Sequence, residues 1–317
     1  MKTRLIADWL VYVAVRLMIC AAQALPLETC ARAVRPLAYL FNDVLKIRRG
    51  VVLENLSHAF PELAQQRHAM TSRAMWEHLL LLACEVAHLP RKVHETNWRE
   101  HIRLGDIQPQ VAALLSSRPS VILSAHFGNF EAGGFMTGLF EFRTHTLARP
   151  LDTVFVDRWL TKFRQANGQT ILDRKGAAKQ VSVLLQQGGN LVLLGDQYAG
   201  RSGCWIEFFG RPASYYKAIA LFCITSGAPL VVSYAKRREA KILQIDLDVE
   251  GVYDPLESDI DLGGVREVTQ WYNDLLEQII RRDADQYWWL HRRWKGEPKL
   301  PRGKRTADSN MKQRQAA

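Results

Sequence analysis

From residue 121 the chain reads Val121-Ile122-Leu123-Ser124-Ala125-His126-Phe127-Gly128-Asn129-Phe130-Glu131. The first five residues form a short apolar run rich in β-branched side chains, the pattern of a buried strand. A histidine stands where the run ends. A Gly-Asn pair suited to a turn follows, and then a glutamate that opens a helical stretch. A strand passing through a turn into a helix is the repeating unit of α/β sheets. In such sheets, sites form at the carboxyl ends of the strands.

The pattern repeats downstream. Leu191-Val192-Leu193-Leu194 and Pro229-Leu230-Val231-Val232-Ser233-Tyr234 read as further buried strands, and Ile242 to Val249 alternates like a half-exposed one. Val181–Gln187, Ile219–Thr225 and Val265–Ile280 have helical spacing, the last strongly amphipathic. The expected fold is therefore α/β, a mixed central sheet flanked by helices, over residues 116–295. Upstream, the turn cluster Ser116-Ser117-Arg118-Pro119 closes a helical region, 28–115. Within it Val44, Leu45, Ile47, Val51, Val52 and Leu56 recur at helical spacing up to a stop at Phe60-Pro61-Glu62. The nearly all-apolar run His78–Leu89, ending at Pro90, is either a buried helix or a second membrane-facing surface. Residues 296–317 read as a basic polar tail without a core, expected to be disordered.

The amino terminus is apolar from Leu5 to Leu27, interrupted by Asp8 and Arg16. A spanning helix needs about 20 apolar residues, and an arginine near its middle costs roughly 2.5–3.5 kcal/mol. Residues 1–27 are thus a membrane anchor that spans with Arg16 snorkelling or paired, or an interfacial helix. The break at Arg16 and the lack of a small-residue cleavage site disfavour a signal peptide. Arg32, Arg35, Lys46, Arg48 and Arg49 follow; if the segment spans, they hold the body on the cytoplasmic side.

The 317 residues are 48% hydrophobic and 23% charged, the balance of a folded chain. The net charge of +10 suits an anionic partner: a membrane surface, an acidic carrier protein or nucleic acid. No zinc spacing or nucleic-acid module is found, which excludes the last. Five cysteines without a CxxC pair give neither a disulfide framework nor a metal site. No G-x-S-x-G elbow marks a serine hydrolase.

His126 and Glu131 are five residues apart, on opposite faces of a strand and about 140° apart on a helix. They can meet only if Gly128 and Asn129 turn the chain. A carboxylate on one imidazole nitrogen fixes the tautomer, raises the pKa and leaves the other nitrogen free to take a proton. Asp196 follows a strand end, so a site role and a helix-capping role both fit it. Arg149 suits a phosphate or an internal salt bridge. Arg292 and Arg293, among aromatics, read as a membrane-surface patch.

His-x4-Glu after a buried strand resembles the His-x4-Asp/Glu signature of membrane glycerolipid acyltransferases. The version His126-Phe127-Gly128-Asn129-Phe130-Glu131 resembles the lauroyl/myristoyl acyltransferases of bacterial lipid A synthesis, within the lysophospholipid acyltransferase superfamily. Further blocks are similar and in the family's order: Asn55-Leu56-Ser57-His58-Ala59-Phe60-Pro61, Arg149-Pro150-Leu151-Asp152, Gly195-Asp196-Gln197, Phe208-Phe209-Gly210, and Trp288-Trp289-Leu290-His291-Arg292-Arg293-Trp294-Lys295. Thr153, Ala284 and Ser214 depart from the family pattern, where Asn, Pro and Thr are usual.

The resemblance implies transfer of a fatty acyl chain from acyl carrier protein, or acyl-CoA, to a hydroxyl of a lipid A precursor or related glycolipid. His126 would be general base and Glu131 its partner. Arg149, Asp196, Gly128 and Asn129 would contact substrate or stabilise the oxyanion. No cofactor beyond the acyl donor and no metal is implied. Expected partners are acyl carrier protein, a membrane lipid acceptor and the anionic surface of the bacterial inner membrane, with the body on its cytoplasmic side. A phospholipid, mannoside or aminolipid acceptor stays open, as does, from another class, a non-catalytic membrane-surface binding protein.

Overall fold

The computed structural model describes residues 2–148, 151, 153–166, 168–172, 176–239, 241–258 and 262–297. The tail expected at 296–317 lies outside them except for its first two residues. Four helices come first: α1 (Lys2–Ala24), α2 (Leu27–Tyr39), α3 (Arg49–Ala59) and α4 (Gln65–Lys92). Leu5–Ala24 is long and apolar enough to cross a membrane, and none of that stretch is buried within the chain. Leu5, Ile6, Trp9, Leu10, Leu17 and Met18 are each more than half exposed.

The run His78–Leu89 is a buried helix face: His78, Leu81, Leu82, Glu85, Ala87, His88 and Leu89 all lie inside. The expected stop at Pro90 falls short, since α4 continues to Lys92. A proline in the last turn withholds only its own amide, and Val93 N still donates to Leu89 O at 3.0 Å.

The α/β part contains β1 (Ile102–Leu104), α5 (Gln108–Leu115), β2 (Ser120–Ser124), α6 (Phe130–Leu139), β3 (Thr144–Leu147), α7 (Val154–Ala166), β4 (Gln169–Leu172), α8 (Ala177–Gln186) and β5 (Asn190–Leu194). It continues with β6 (Cys204–Phe208), β7 (Arg211–Tyr215), α9 (Lys217–Ser226), β8 (Leu230–Arg237), β9 (Ile245–Tyr253) and α10 (Val265–Arg282). Seven strands form one sheet in the order β1-β9-β8-β2-β5-β3-β4, and β6-β7 is a separate hairpin. Only the β8–β9 pair within the large sheet is antiparallel. This is the expected mixed sheet flanked by helices.

The strands read from the sequence, β2, β5 and β8, are the three central ones. The fourth begins at Ile245, not Ile242: Arg238 N donates to Gln244 O at 2.8 Å across the β8–β9 connection, so residues 242–244 precede the strand. β1, β3 and β4 were not anticipated, and β1 falls in the stretch expected to be helical. They are three or four residues long and mix polar with apolar side chains, as in Thr144-His145-Thr146-Leu147, so no run stands out.

β2 is the sheet's spine. Val121, Ile122 and Leu123 are buried between β5 and β8. α10 covers the sheet with Val268, Tyr272, Leu276, Ile279 and Ile280, a 3.6-residue stripe, while Glu267 in its first turn and Arg281 and Arg282 in its last complement the helix dipole. The five cysteines are free thiols.

Candidate functional site

β2 and β5 run parallel and pair Ser124 with Leu194. Two residues beyond each strand stand His126 and Asp196. The register therefore sets them side by side at the carboxyl edge of the sheet. Asp196 Oδ1 lies 2.7 Å from His126 Nδ1, and Asp196 Oδ2 accepts the backbone N–H of His126 at 3.1 Å. One carboxylate thus holds both the ring and its backbone. With Nδ1–H donating to Asp196, Nε2 is the basic nitrogen. It faces the Gln197 amide at 3.4 Å. The ring packs edge-on to Phe130 at 5.1 Å and Trp288 at 6.0 Å. About a fifth of the His126 side chain remains exposed, against 4% for Asp196.

Burial alone would pull the imidazole down. The charge and hydrogen bond of Asp196 overcome this and hold His126 above its ordinary value, with the Glu131 charge adding and Arg164 opposing. For Asp196, burial pushes up, but the charge and hydrogen bonds of His126 bring its carboxyl down to about 2.

Glu131 does not take the place expected for it. It stands in the first turn of α6 and makes a two-pronged pair with Arg164 of α7, one prong from Arg164 Nε at 3.1 Å and one from Nη2. Its charge reaches the imidazole, but the hydrogen bond to Nδ1 belongs to Asp196. The sequence spacing favoured Glu131 because it is close along the chain. Parallel pairing brings Asp196 closer across 70 residues.

Gly128 and Asn129 make the turn, as expected, but their amides are not free to act as oxyanion donors. Gly128 N donates to Gln286 O at 2.9 Å and Asn129 N to Ala235 O at 2.7 Å. Gly128 has φ +57°, and a Cβ there would meet Ala235 O at 1.9 Å. Asn129 is fully buried; its Oδ1 caps α6 by accepting Ala132 N at 2.9 Å, and its Nδ2 donates to Glu85 Oε2 at 2.9 Å. Glu85 in turn receives Arg237 Nε at 2.7 Å and Nη2 at 2.6 Å. His78 lies between Arg237 Nη1, at 2.5 Å from its Nδ1, and Gly128 O, at 3.1 Å from its Nε2. The imidazole accepts from Arg237 and donates to Gly128. Burial, and then the Arg237 charge, push its pKa down to about 3.

Arg164, Glu85, Arg237 and His78 were missed in the sequence. A signal existed for two of them: His78 and Glu85 are polar residues seven apart, hence on one face, of an otherwise apolar helix. Arg149 lies outside the described residues. Arg293 corrects an expectation: it is 1% exposed and stacks on Tyr215 with its guanidinium 3.7 Å from the ring centroid, while Arg292 is exposed. The closing block is bound to the early one instead, since Asn55 Nδ2 donates to Trp289 O at 2.8 Å and His291 O at 2.7 Å. Among the described residues no cluster of His, Cys, Asp and Glu could hold a metal ion.

A largely buried histidine that keeps about a fifth of its side chain exposed, with a buried carboxylate on Nδ1 and a basic Nε2, is an apparatus for taking a proton from a hydroxyl. The sequence pattern of the family described as "Bacterial lipid A biosynthesis acyltransferase" matches residues 1–296. The chain belongs to this family.

Relatives of this acyltransferase include the lipid A biosynthesis lauroyltransferase of Escherichia coli (strain K12), 26% identical over 301 residues, or 92% of each chain. The lipid A biosynthesis palmitoleoyltransferase of the same organism is 22% identical over 259 residues, covering 80% of this chain and 81% of that protein. Among solved structures, the 1-acyl-sn-glycerophosphate acyltransferase of Thermotoga maritima is similar at a TM-score of 0.37 and 9% identity, over 83% of this chain and 99% of that one. The chain is an O-acyltransferase, acting on a lipid acceptor.

Proposed function

We propose that this acyltransferase moves a fatty acyl chain from the thioester of acyl carrier protein, or of CoA, to a hydroxyl of a lipid A precursor or a related glycolipid. The observation that carries the chemistry is the His126–Asp196 pair at the carboxyl edge of the sheet, with Nε2 left basic. The reading of the acceptor rests on family membership. The body would sit on the cytoplasmic face of the bacterial inner membrane, where both thioester donors are found and where the net charge of +10 faces anionic lipid.

In the reaction the acceptor hydroxyl attacks the thioester carbonyl as His126 Nε2 takes its proton. Such general-base help gives about 10²–10⁴-fold in rate. Asp196 stabilises the imidazolium that forms. The tetrahedral oxyanion collapses, the C–S bond breaks, and the departing thiolate recovers the proton from Nε2. The Gln197 side-chain amide, beside Nε2, is our candidate oxyanion donor in place of the Gly128 and Asn129 amides; Arg149 stays a candidate. No acyl-enzyme is required, so the cysteines are bystanders. Glu131 acts through Arg164, tying α6 to α7 next to the imidazole, and Arg164 is placed to meet an anionic group on either substrate.

The test is a transfer assay in detergent with labelled C12 to C16 acyl carrier protein and a lipid A precursor. Label should move with wild type and not with His126→Ala. Transfer only to a total lipid extract would replace the acceptor. Transfer to nothing by folded protein would favour a binding protein.

A further inference from the structure

Arg16 interrupts an apolar helix, and the structure shows what it faces. Three helices meet around a cavity of about 250 Å³, lined by Arg16, Ile19 and Gln23 of α1, Val86, Ala87 and Pro90 of α4, and Trp159, Lys162 and Phe163 of α7. The α1 and α7 contributions follow helical spacing, one face from each. The walls are fixed: Gln23 Nε2 donates to Ala87 O at 2.6 Å, and Tyr12 of α1 packs on Phe155 of α7 with ring centroids 6.0 Å apart.

The cavity has two cations and no carboxylate in its lining. Among the described residues no acid lies within salt-bridge distance of Arg16 or Lys162. The neighbouring acids are engaged elsewhere: Glu85 with Arg237, Glu131 with Arg164, and Asp157 with the amide of Leu151. Asp8, the acid of α1, is eight residues from Arg16, about 12 Å along the helix axis. Two cations without an acid partner, Arg16 partly buried and Lys162 exposed, face a pocket otherwise lined by Gln23 and by apolar and aromatic side chains, an arrangement that suits an anion from outside the chain. Beside the pocket runs the exposed apolar face of α1, with Leu17 64% and Met18 63% exposed. An anionic head next to an apolar flank is the shape of a charged lipid.

We propose that the α1–α4–α7 pocket binds the phosphate of an anionic phospholipid between Arg16 and Lys162, with the acyl chains along α1. A guanidinium and an ammonium together suit a phosphodiester, the first by its fork and the second as a point charge. Trp159 places an amphipathic ring where head group meets chain. The site also sets depth. If Arg16 shares a phosphate with Lys162, the Arg16–Gln23 half of α1 lies at head-group level, leaving the Leu5–Val11 half to enter the hydrocarbon. The helix then docks in the interface rather than crossing the whole bilayer. The pocket is separate from the His126 site, so the inference stands or falls independently of the acyl-transfer reading.

The test is native mass spectrometry of the full chain released from nanodiscs of mixed phosphatidylglycerol and phosphatidylcholine. Wild type should retain one phosphatidylglycerol in preference to phosphatidylcholine. Arg16→Gln/Lys162→Gln should retain at least tenfold less, with unchanged far-UV circular dichroism and melting temperature. Lys162→Arg should keep it. Equal phosphatidylglycerol retention by wild type and the double variant overturns the proposal. So does phosphatidylcholine held as well as phosphatidylglycerol, or inorganic phosphate bound with no lipid retained.

Discussion

His126 and Asp196 stand at one register position, each two residues past the end of adjacent parallel strands, and the carboxylate grips both the ring at 2.7 Å and the backbone N–H at 3.1 Å. The relation is written into the β2–β5 pairing and not into the local turn. Asp196→Asn keeps the shape but takes away the charge that stabilises an imidazolium. We expect kcat to fall by about 10²–10⁴-fold with KM little changed. A loss under about tenfold in steady-state assays would mean that Asp196 is not the partner the base depends on.

With His126 as the proposed base, the same pair should set the acid limb of the pH–rate profile. Only neutral His126 can accept a proton, and its pKa is raised. The limb in kcat/KM should therefore lie above the ordinary histidine value of about 6.5. In Asp196→Asn the main raising influence is gone and burial, which lowers, outweighs the remaining Glu131 charge, so the limb should move to lower pH even as the plateau falls. An unmoved limb would assign the titration to another group.

Glu131 and Arg164 should behave as one unit. Removing either leaves the other's charge half-buried and unpaired, at 10% and 19% side-chain exposure. Glu131→Gln and Arg164→Met should each cost about 1.5–3 kcal/mol of stability, and the double variant should cost well short of their sum. A double-mutant cycle by chemical denaturation measures this. Additive losses would show that Glu131 works without Arg164.

Much of the fold was legible because its central strands are continuous apolar runs: Val121–Leu123, Leu191–Leu194 and Leu230–Val232 have no other reading. The short outer strands were not, since three or four mixed residues carry no period. At the site, His126 was legible from its place after a strand, and so was the need for a turn at Gly128. The hydrogen-bond partner of its Nδ1 was not. Asp196 reads from the sequence as a strand-end acid, but only the β2–β5 register, a long-range pairing, puts it on Nδ1. Arg293 was misplaced for a related reason. Its basic, aromatic neighbourhood looks like a surface patch until Tyr215, 78 positions earlier in the sequence, closes over it.

Beneath the turn, Arg237, Glu85 and His78 form a cluster whose titration can be read out separately. His78 is pushed to about 3 in the folded chain, against about 6.5 when unfolded. A histidine depressed on folding gives stability that is whole above its unfolded value and is lost as pH falls through the window from about 6.5 to about 3. The slope is about 1.4 kcal/mol per pH unit for one such group. His78→Gln keeps a donor for Gly128 O but has no proton to gain. The variant will be less stable near neutrality. Its deficit against wild type should shrink by about 2 kcal/mol between about pH 6.5 and pH 5. Urea midpoints at the two pH values, with m unchanged, give the comparison. Parallel pH profiles for the two proteins would mean that His78 is not held neutral, and that Arg237 draws its balance from Glu85 alone.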